Sequence, residues 1–152
     1  MNMLIRDMQP GDLEAVAEID RMSFSMPWPQ GSYRYELTQN KAARCLVAET
    51  DDKQVAALIV SWVIIDELHI ATFATHRDFR RQGIGSQLLA AALADGQDLG
   101  AKRAILEVRE TNLEAQAMYR KFGFEVTGRR PGYYRDNGET ALLMTLEQLV
   151  HA

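Results

Sequence analysis

The chain has 152 residues, of which 47% are hydrophobic and 25% charged, a composition typical of one globular domain and unlike that of disordered chains. Its longest apolar run is too short to span a membrane, its first residues lack the apolar core of a signal peptide, and a single cysteine excludes an internal disulfide. The formal net charge of −4 argues against a protein that coats nucleic acid. We therefore expect one cytoplasmic domain over residues 1–152 that contacts neither nucleic acid nor membrane.

The first half of the chain begins with short helical and strand-like patterns. Residues 3–8 predict a first strand, and a Pro-Gly-Asp turn predicts a helix that begins after Asp12 as its N-cap. A second short helix is predicted at residues 32–39, after a rigid aromatic loop at 25–31. Segments rich in Val, Ile and Thr then predict three strands, at residues 44–50, 55–65 and 67–75.

The second half of the chain alternates helices and strands. Apolar residues recur at helical spacing in residues 83–99, which Gly100 closes, and helical character returns in residues 112–122, which Gly123 closes. Short strands are predicted at residues 104–108, 124–128 and 140–146. Strands dominate the centre and helices lie on both sides of them in sequence, so we predict a mixed α/β (α+β) fold.

The most informative stretch runs from Arg80 to Ser86, between a predicted strand and a predicted helix. Gly83 and Gly85 have no Cβ and let the backbone approach a ligand, while a helix N-terminus offers unpaired N–H groups and partial positive charge. The combination suits a pyrophosphate, although a plain turn before a helix has the same glycines. The Gly-Lys-Ser/Thr of a P-loop is missing, and Leu88 stands where a Rossmann fingerprint has a small residue.

This stretch resembles a known family. Arg80-x-x-Gly83-x-Gly85 is similar to the Gln/Arg-x-x-Gly-x-Gly/Ala signature of the Gcn5-related N-acetyltransferases (GNAT). The resemblance extends downstream through Leu106-Glu107-Val108-Arg109, Asn112, Ala115, Tyr119 and Gly123-Phe124. A narrower resemblance, to the ribosomal-protein-alanine N-acetyltransferases (RimI-type), rests on Pro27-Trp28, Asp66-Glu67, the Leu-Glu-Val-Arg strand and Tyr133-Tyr134. The chain departs from the family before the loop, where Thr75-His76-Arg77 replaces Val-x-Pro.

The resemblance implies a GNAT fold, in which a mostly antiparallel, splayed sheet is flanked by helices, with acetyl-CoA as cosubstrate and no metal. It implies a pyrophosphate loop made of Arg80, Arg81, Gln82, Gly83, Ile84, Gly85 and Ser86. It also implies that the backbone of Phe73, Ala74 and Thr75 aligns the pantetheine arm and polarises the thioester carbonyl. Asn112 is expected to cap the following helix or to contact the cofactor.

Two side chains are candidates for the chemistry. Glu107 lies in an otherwise apolar predicted strand, and the resemblance implies that it is the general base. Its residue pattern alone also suits a solvated edge residue or an ion-pair partner of Arg109, which shares its side of the strand. The resemblance implies that Tyr119 protonates the CoA thiolate, although a tyrosine there also suits core packing. His69 is an alternative base, with a structural or solvent-facing role as the plainer interpretation.

Other residues are candidates for substrate contact or for packing. An aromatic peptide channel is expected from Trp28, Tyr33, Tyr133 and Tyr134, which could equally pack at the rim of loops. Cys45 lies in an apolar predicted strand and is expected to be a buried thiol rather than a nucleophile.

These expectations favour one function and leave two alternatives. The favoured function is acetyl transfer from acetyl-CoA to the N-terminal α-amine of a protein, with the N-terminal alanine of a small-subunit ribosomal protein as acceptor. One alternative is an acetyltransferase for a small amine, an antibiotic or a lysine, and the other is a non-catalytic CoA-binding module. The presence of both Glu107 and Tyr119 argues against the last, because a binding module needs neither.

Overall fold

The computed structural model describes residues 3–29 and 31–149. Its strands are β1 (Leu4–Asp7), β2 (Ala43–Glu49), β3 (Val55–Ile64), β4 (Glu67–Thr75), β5 (Arg103–Arg109), β6 (Glu125–Arg130) and β7 (Ala141–Leu146). Its helices are α1 (Leu13–Ser23), α2 (Ser32–Thr38), α3 (Ile84–Asp98) and α4 (Leu113–Lys121), with short 3-10 turns at Pro10–Asp12 and Arg77–Phe79. The strands form one sheet in the order β1-β2-β3-β4-β5-β7-β6.

One junction of the described sheet differs from all the others. β4 and β5 run parallel, whereas every other pair of neighbouring strands is antiparallel. The two parallel strands pair only through Glu67–His69 and Arg103–Ile105. Beyond His69 and Ile105 they continue without pairing, so a gap opens in the middle of the sheet. The prediction of a mixed, mostly antiparallel, splayed sheet flanked by helices is confirmed.

A β-bulge in β4 lies close to the start of this gap. Val60 of β3 faces Thr72, but Ser61 faces Ile70, which leaves Ala71 as an extra residue in β4. A bulge increases the local twist of a strand and re-aims the side chains that follow it. Here the side chain of Ile70 packs under α3 and that of Ala71 on the opposite face of the sheet.

Helices cover both faces of the sheet and bury its centre. Helices α3 and α4 cover one face, where the largest fully buried side chains include Leu88, Leu106 and Phe124. Helices α1 and α2 cover the other face over a smaller core that includes Ile19 and Leu58. The gap between β4 and β5 therefore opens beside the larger core on one face, while Glu107 and His69 lie on the other face. No helix among the described residues is long and apolar enough to cross a membrane.

The predicted helices and strands have the expected type, and their ends lie within two residues of the predicted ones. Asp12 is an exception in detail, because its side chain does not cap α1. Its carboxylate instead accepts hydrogen bonds from the Gln9 N–H at 2.7 Å and from Arg6 at 2.8 and 2.9 Å. Sequence patterns also did not predict the 3-10 turn at Arg77–Phe79.

Candidate active site

The strand edge along the gap offers backbone groups to an extended ligand. Phe73, Ala74 and Thr75 lie in the part of β4 that no longer pairs with β5. Unpaired strand edges bind extended chains through backbone hydrogen bonds, as an added strand would. The side chains of Phe73 and Ala74 pack into opposite cores, so the backbone between them is held firmly. The geometry suits the pantetheine track that the resemblance implies.

The N-terminus of α3 follows directly after the end of β4. Gly83 occupies the N-cap position with a φ of +79°, and no side chain of the described structure caps the helix. The first-turn amides of α3, from Ile84 to Ser86, are therefore available to an anion. Arg81 also has a positive φ, of +64°. Two left-handed residues so close together turn the chain sharply into the helix.

Gly83 and Gly85 have different surroundings. A Cβ at Gly83 would meet no protein atom within 4 Å, so only the positive φ favours glycine there. A Cβ at Gly85 would lie 3.4 Å from Thr75 Oγ1 and 3.5 Å from the Phe73 ring. These are ordinary van der Waals distances, so the first turn of α3 packs directly against β4, and a side chain larger than alanine would crowd this contact.

The two arginines of the loop have different surroundings. Arg80 donates from Nε to the Thr75 carbonyl oxygen at 3.0 Å and from Nη2 to Ser23 Oγ at 3.3 Å. It therefore ties the loop to β4 and α1. Arg81 is exposed, and its guanidinium lies 3.8 Å from Glu114 at the start of α4. Of the two, Arg81 is the side chain free to reorient towards an anion.

The entry to the loop is formed without the family's proline. His76 precedes the 3-10 turn, and its Nδ1 accepts a hydrogen bond from the Asp78 N–H at 3.0 Å. Gln82 donates from Nε2 to the Asp78 carbonyl oxygen at 3.4 Å. These contacts within the turn set the path of the chain from β4 to Gly83.

Glu107 and His69 face each other where β4 and β5 separate. His69 is the last residue of β4 that pairs with β5, and Glu107 lies two residues beyond its partner Ile105. His69 Nε2 lies 3.0 Å from one Glu107 carboxylate oxygen and 3.2 Å from the other. Both side chains are partly buried, with 24% and 13% of their surface exposed. His69 is thus neither a core histidine nor an isolated solvent-facing one.

The surroundings of Glu107 keep its carboxylate ionised. Burial by itself would raise the pKa of this carboxyl, but the hydrogen bond and charge of His69, with smaller contributions from its other neighbours, together lower it. Arg130 and the Tyr133 hydroxyl act in the same direction, so that the pKa lies below its usual value near 4.5. Glu107 is therefore a negatively charged hydrogen-bond acceptor at neutral pH.

Tyr119 lies on the other face of the sheet, in the core between α4 and β4. Its ring packs at 6.5 Å from that of Phe73 and at 5.8 Å from that of Phe124, measured between centroids. Burial strongly raises the pKa of its hydroxyl. Tyr119 therefore remains protonated at physiological pH and can act as a hydrogen-bond donor beside Phe73.

Two of the four aromatic residues predicted for a peptide channel lie near Glu107. The rings of Tyr133 and Tyr134 meet edge to face with centroids 5.1 Å apart. Burial raises the pKa of both hydroxyls, and the Glu107 charge adds to the effect; that of Tyr134 rises to about 12. The structure thus brings these two tyrosines together with the proposed base.

The other two aromatic residues form a separate cluster, and here the sequence interpretation needs correction. Tyr33 is only 5% exposed, and its hydroxyl donates to Asp20 Oδ1 at 2.9 Å. The other oxygen of Asp20 accepts from the Trp28 N–H at 2.7 Å, and the Trp28 ring packs on Tyr33 with centroids 4.8 Å apart. Because it is buried in the core, Tyr33 supports Trp28 and does not itself line a channel.

Arg109 has partners that the sequence analysis did not identify. It does not pair with Glu107; its guanidinium contacts Asp136 at 2.9 Å and Glu139 at 3.1 Å. It also stacks over the Tyr134 ring, with the guanidinium carbon 4.0 Å from the centroid. The sequence does show acidic residues in the turn-rich segment before β7, and these are possible partners for an arginine. No local pattern indicates, however, that this segment faces β5.

The remaining predicted residues lie as follows. Asn112 accepts a hydrogen bond on Oδ1 from the Ala115 N–H at 3.1 Å, which caps α4. Cys45 is buried, and burial raises the pKa of its thiol to about 11, as expected for a core residue. Among residues 3–29 and 31–149, no group of three or more His, Cys, Asp or Glu side chains is arranged to hold a metal ion.

Comparisons with known proteins agree on one family. Residues 13–124 match the profile of the Acetyltransferase (GNAT) family, which is most of the chain. The chain is 38% identical over 140 residues to a Bacillus subtilis (strain 168) protein provisionally named ribosomal protein bS18-alanine N-acetyltransferase, with 92% of each chain covered. It is 30% identical over 145 residues to the ribosomal protein bS18-alanine N-acetyltransferase of Escherichia coli (strain K12), with 93% and 95% covered.

A solved structure supports the same relationship. The crystal structure of the ribosomal-protein-S18-alanine N-acetyltransferase from Escherichia coli superposes with a TM-score of 0.88 at 27% sequence identity. The match covers 99% of this chain and 96% of that one. The shared fold therefore includes both the loop before α3 and the segment before β7.

Proposed function

The chain belongs to the GNAT family of acetyltransferases, and from this premise we propose that it acetylates the N-terminal α-amine of a protein. The preferred acceptor is the N-terminal alanine of a small-subunit ribosomal protein, a choice that the names of its relatives support. The donor is acetyl-CoA, the acetyl source of this family. The cytoplasm, where ribosomal proteins are synthesised, is then its place of action.

The observation that carries the proposal is the ionised Glu107 carboxylate at the point where β4 and β5 separate. A ligand that lies along the free edge of β4 passes directly in front of it. The unpaired amides of β4 can bind such a ligand and polarise its carbonyl oxygen. The uncapped N-terminus of α3, next to the end of β4, can bind its phosphates. Holding both reactants in this geometry supplies several kcal/mol of the barrier.

Glu107 receives the proton that the acceptor nitrogen loses. As the C–N bond forms and the C–S bond breaks, the nitrogen becomes more acidic, and an ionised carboxylate within hydrogen-bond reach can take its proton. His69 Nε2 contacts both carboxylate oxygens and so holds the carboxylate in place where the two strands separate. The pair of residues therefore both orients the amine and accepts its proton.

Tyr119 is the hydrogen-bond donor to the leaving sulfur, on the face of the sheet opposite to Glu107. Its hydroxyl stays protonated because burial raises its pKa. A neutral phenol beside Phe73 can donate a hydrogen bond to the thiolate as the C–S bond breaks. The two catalytic groups thus lie on opposite faces of the sheet, one for the nitrogen and one for the sulfur.

The state of Glu107 favours an α-amine over a lysine side chain. An α-ammonium has a pKa of roughly 7.7–8.0 and a lysine ammonium one of roughly 10.4. A carboxyl whose pKa is held below its usual range is a weak base towards either ammonium ion, and the mismatch in pKa is the larger for the lysine ammonium. At neutral pH about a tenth of α-amines are already unprotonated, but fewer than one lysine in a thousand.

A peptide library tests the proposal. Peptides varied at their first three residues are incubated with the enzyme and acetyl-CoA, and the products are sequenced by mass spectrometry. We expect acetylation at the N-terminus, with alanine strongly preferred at the first position. Preference for a polyamine or an aminoglycoside added to the same mixture would assign the enzyme to the small-amine class instead.

A further inference from the structure

Arg109 connects three parts of the structure on the Glu107 side of the gap. It ends β5, two residues after Glu107 and on the same side of the strand. Its two terminal nitrogens contact Asp136 Oδ2 at 2.9 Å, Glu139 Oε1 at 3.1 Å and Asn137 Oδ1 at 3.3 Å. All three partners belong to residues 131–140, the segment between β6 and β7, which we call the β6–β7 segment.

The same guanidinium reaches the loop between α1 and α2. Arg109 Nη2 lies 3.3 Å from Ser25 Oγ. Ser25 Oγ in turn donates to Asp136, so that Arg109, Ser25 and Asp136 contact one another in a closed triangle. Because the Ser25 loop also carries Trp28, this triangle joins the two segments that hold the aromatic candidates for acceptor contact.

Apart from Arg109, the β6–β7 segment is held by two internal backbone hydrogen bonds, between Tyr134 and Glu139 and between Gly138 and Tyr134, and by the Glu110 N–H at its end. Most of its residues are exposed, and Tyr133 is 43% exposed. One further anchor comes from Thr111, whose N–H and hydroxyl donate to Glu139 Oε2 at 2.8 and 2.5 Å. A segment of this kind depends on a small number of polar contacts for its conformation. Among the described side chains outside the segment, Arg109 supplies the most of those contacts.

Arg109 also acts directly on Tyr134. Its guanidinium carbon lies 4.0 Å above the Tyr134 ring centroid, within the range of a cation–π interaction. The Tyr134 ring in turn packs on Tyr133. The position of both rings is therefore coupled to a planar, permanently charged side chain that a lysine would not replace.

We propose that Arg109 is a positioning residue, which holds the β6–β7 segment against the Ser25 loop so that the wall carrying Tyr133 and Tyr134 is formed before the acceptor binds. The proposal rests on the proposed function, because it assumes that this wall contacts a peptide acceptor. It assigns Arg109 no contact with the reacting atoms. Its loss should affect acceptor binding and leave the pyrophosphate loop unchanged, because within the described part of the chain Arg109 has no hydrogen bond to that loop, which Arg80 ties to Thr75 and Ser23.

The test compares Arg109→Gln with Arg103→Gln. Arg103 is the matched control, because it lies on the same strand and the same side and pairs with one carboxylate, Glu67, at the far end of β5. Arg109→Gln should raise the KM for the acceptor peptide roughly tenfold. Without Arg109 the β6–β7 segment is no longer ordered in advance, so part of the binding free energy of the peptide is used to order it. The Kd for acetyl-CoA should stay within about twofold, and Arg103→Gln should change neither constant.

Hydrogen–deuterium exchange provides a readout that needs no substrate. Amides of residues 131–140 should exchange faster in Arg109→Gln than in the wild type or in Arg103→Gln, with α3 unchanged. Arg109→Lys keeps the charge but not the fork, so it should show the same effect to a smaller degree. Asp136→Asn should act in the same direction, and the double variant should be less than additive.

Different failures have different meanings. Unchanged exchange in residues 131–140 in both Arg109 variants overturns the inference, as does a rise in the acetyl-CoA Kd equal to the rise in peptide KM. A wild-type enzyme that acetylates only small amines overturns the proposed function, and the exchange comparison then decides the positioning role by itself.

Discussion

Replacing Glu107 with glutamine should abolish most of the catalysis while leaving the fold nearly unchanged. Glutamine has the same shape, and its Oε1 can accept the hydrogen bond that His69 Nε2 gives to the carboxylate at 3.0 Å. Replacing a charged acceptor with a neutral one costs about 1 kcal/mol of stability. For a chain of 152 residues, that lowers the Tm by about 2–4 °C, which leaves the protein folded at assay temperature.

The expected kinetic effect is far larger. General-base assistance contributes roughly 10²- to 10⁴-fold, which corresponds to about 2.7–5.5 kcal/mol of activation free energy. We therefore expect kcat to fall by at least about 10²-fold, with the Kd for acetyl-CoA unchanged. Because the stability loss is several times smaller, partial unfolding cannot account for such a fall.

The pH profile adds a second criterion. The pKa of Glu107 lies below its usual value, so the carboxylate is already ionised and no titration of it should appear above about pH 5. The wild-type rate should instead rise with pH through the acceptor's α-amine, near pH 7.7–8.0. The deficit of the variant should shrink at high pH, where hydroxide can take the proton.

Steady-state assays with an N-terminal alanine peptide measure both effects, with Glu67→Gln as the matched control at the paired end of β4. If Glu107→Gln retains more than about a tenth of kcat at pH 7, the reasoning is refuted, because general-base assistance is worth more than this. The proton acceptor would then lie elsewhere, and His69→Asn is the next variant to measure.

Three further predictions concern the cofactor loop, the acid and the stability of the fold. Gly83→Val and Gly85→Val should each weaken acetyl-CoA binding in calorimetry, the first with a stability loss of at least about 1–2 kcal/mol from its positive φ. Equal affinity in both variants and the wild type would remove the loop from the site. Tyr119→Phe should lower kcat by roughly 10²-fold without raising the peptide KM, and an unchanged kcat would leave the tyrosine a packing role only. The hydrogen bond from Arg6 holds the pKa of the Asp12 carboxyl below its usual value. The ionised carboxylate therefore stabilises the folded state above about pH 4, and this stabilisation is lost as pH falls through the lowered pKa. Urea unfolding should therefore show a smaller difference between pH 7 and pH 3 for Asp12→Asn than for the wild type.

Local patterns were sufficient to predict the elements and the glycine turn that begins α3. The residue pattern predicts a strand over residues 67–75, and β4 spans Glu67–Thr75 in the structure. The prediction is correct because alternate residues of this strand are buried, so the pattern along the sequence reflects the two faces of the sheet. Gly83 could be predicted as the start of a helix because a left-handed residue at that point favours glycine. Such features depend on neighbours in sequence, which is why the sequence alone reveals them.

Contacts across the sheet could not be predicted in the same way. Alternation places Glu107 on a side of β5, but its meeting with His69 depends on the register of two parallel strands that are separated by α3. The partners of Arg109 lie 27 and 30 residues away, across a turn whose path no local pattern specifies. The burial of Tyr33 likewise depends on Asp20, which a helical pattern marks only as an acidic residue within α1.

The central claim, transfer to a protein α-amine, is tested most directly with two peptides of identical sequence. Both begin with alanine and contain internal lysines, and one is blocked at its N-terminus. Each is incubated with the enzyme and acetyl-CoA, and the site of modification is read by tandem mass spectrometry. We predict one acetyl group on the α-amine of the free peptide and none on the blocked one. Efficient acetylation of lysine in the blocked peptide would contradict the account.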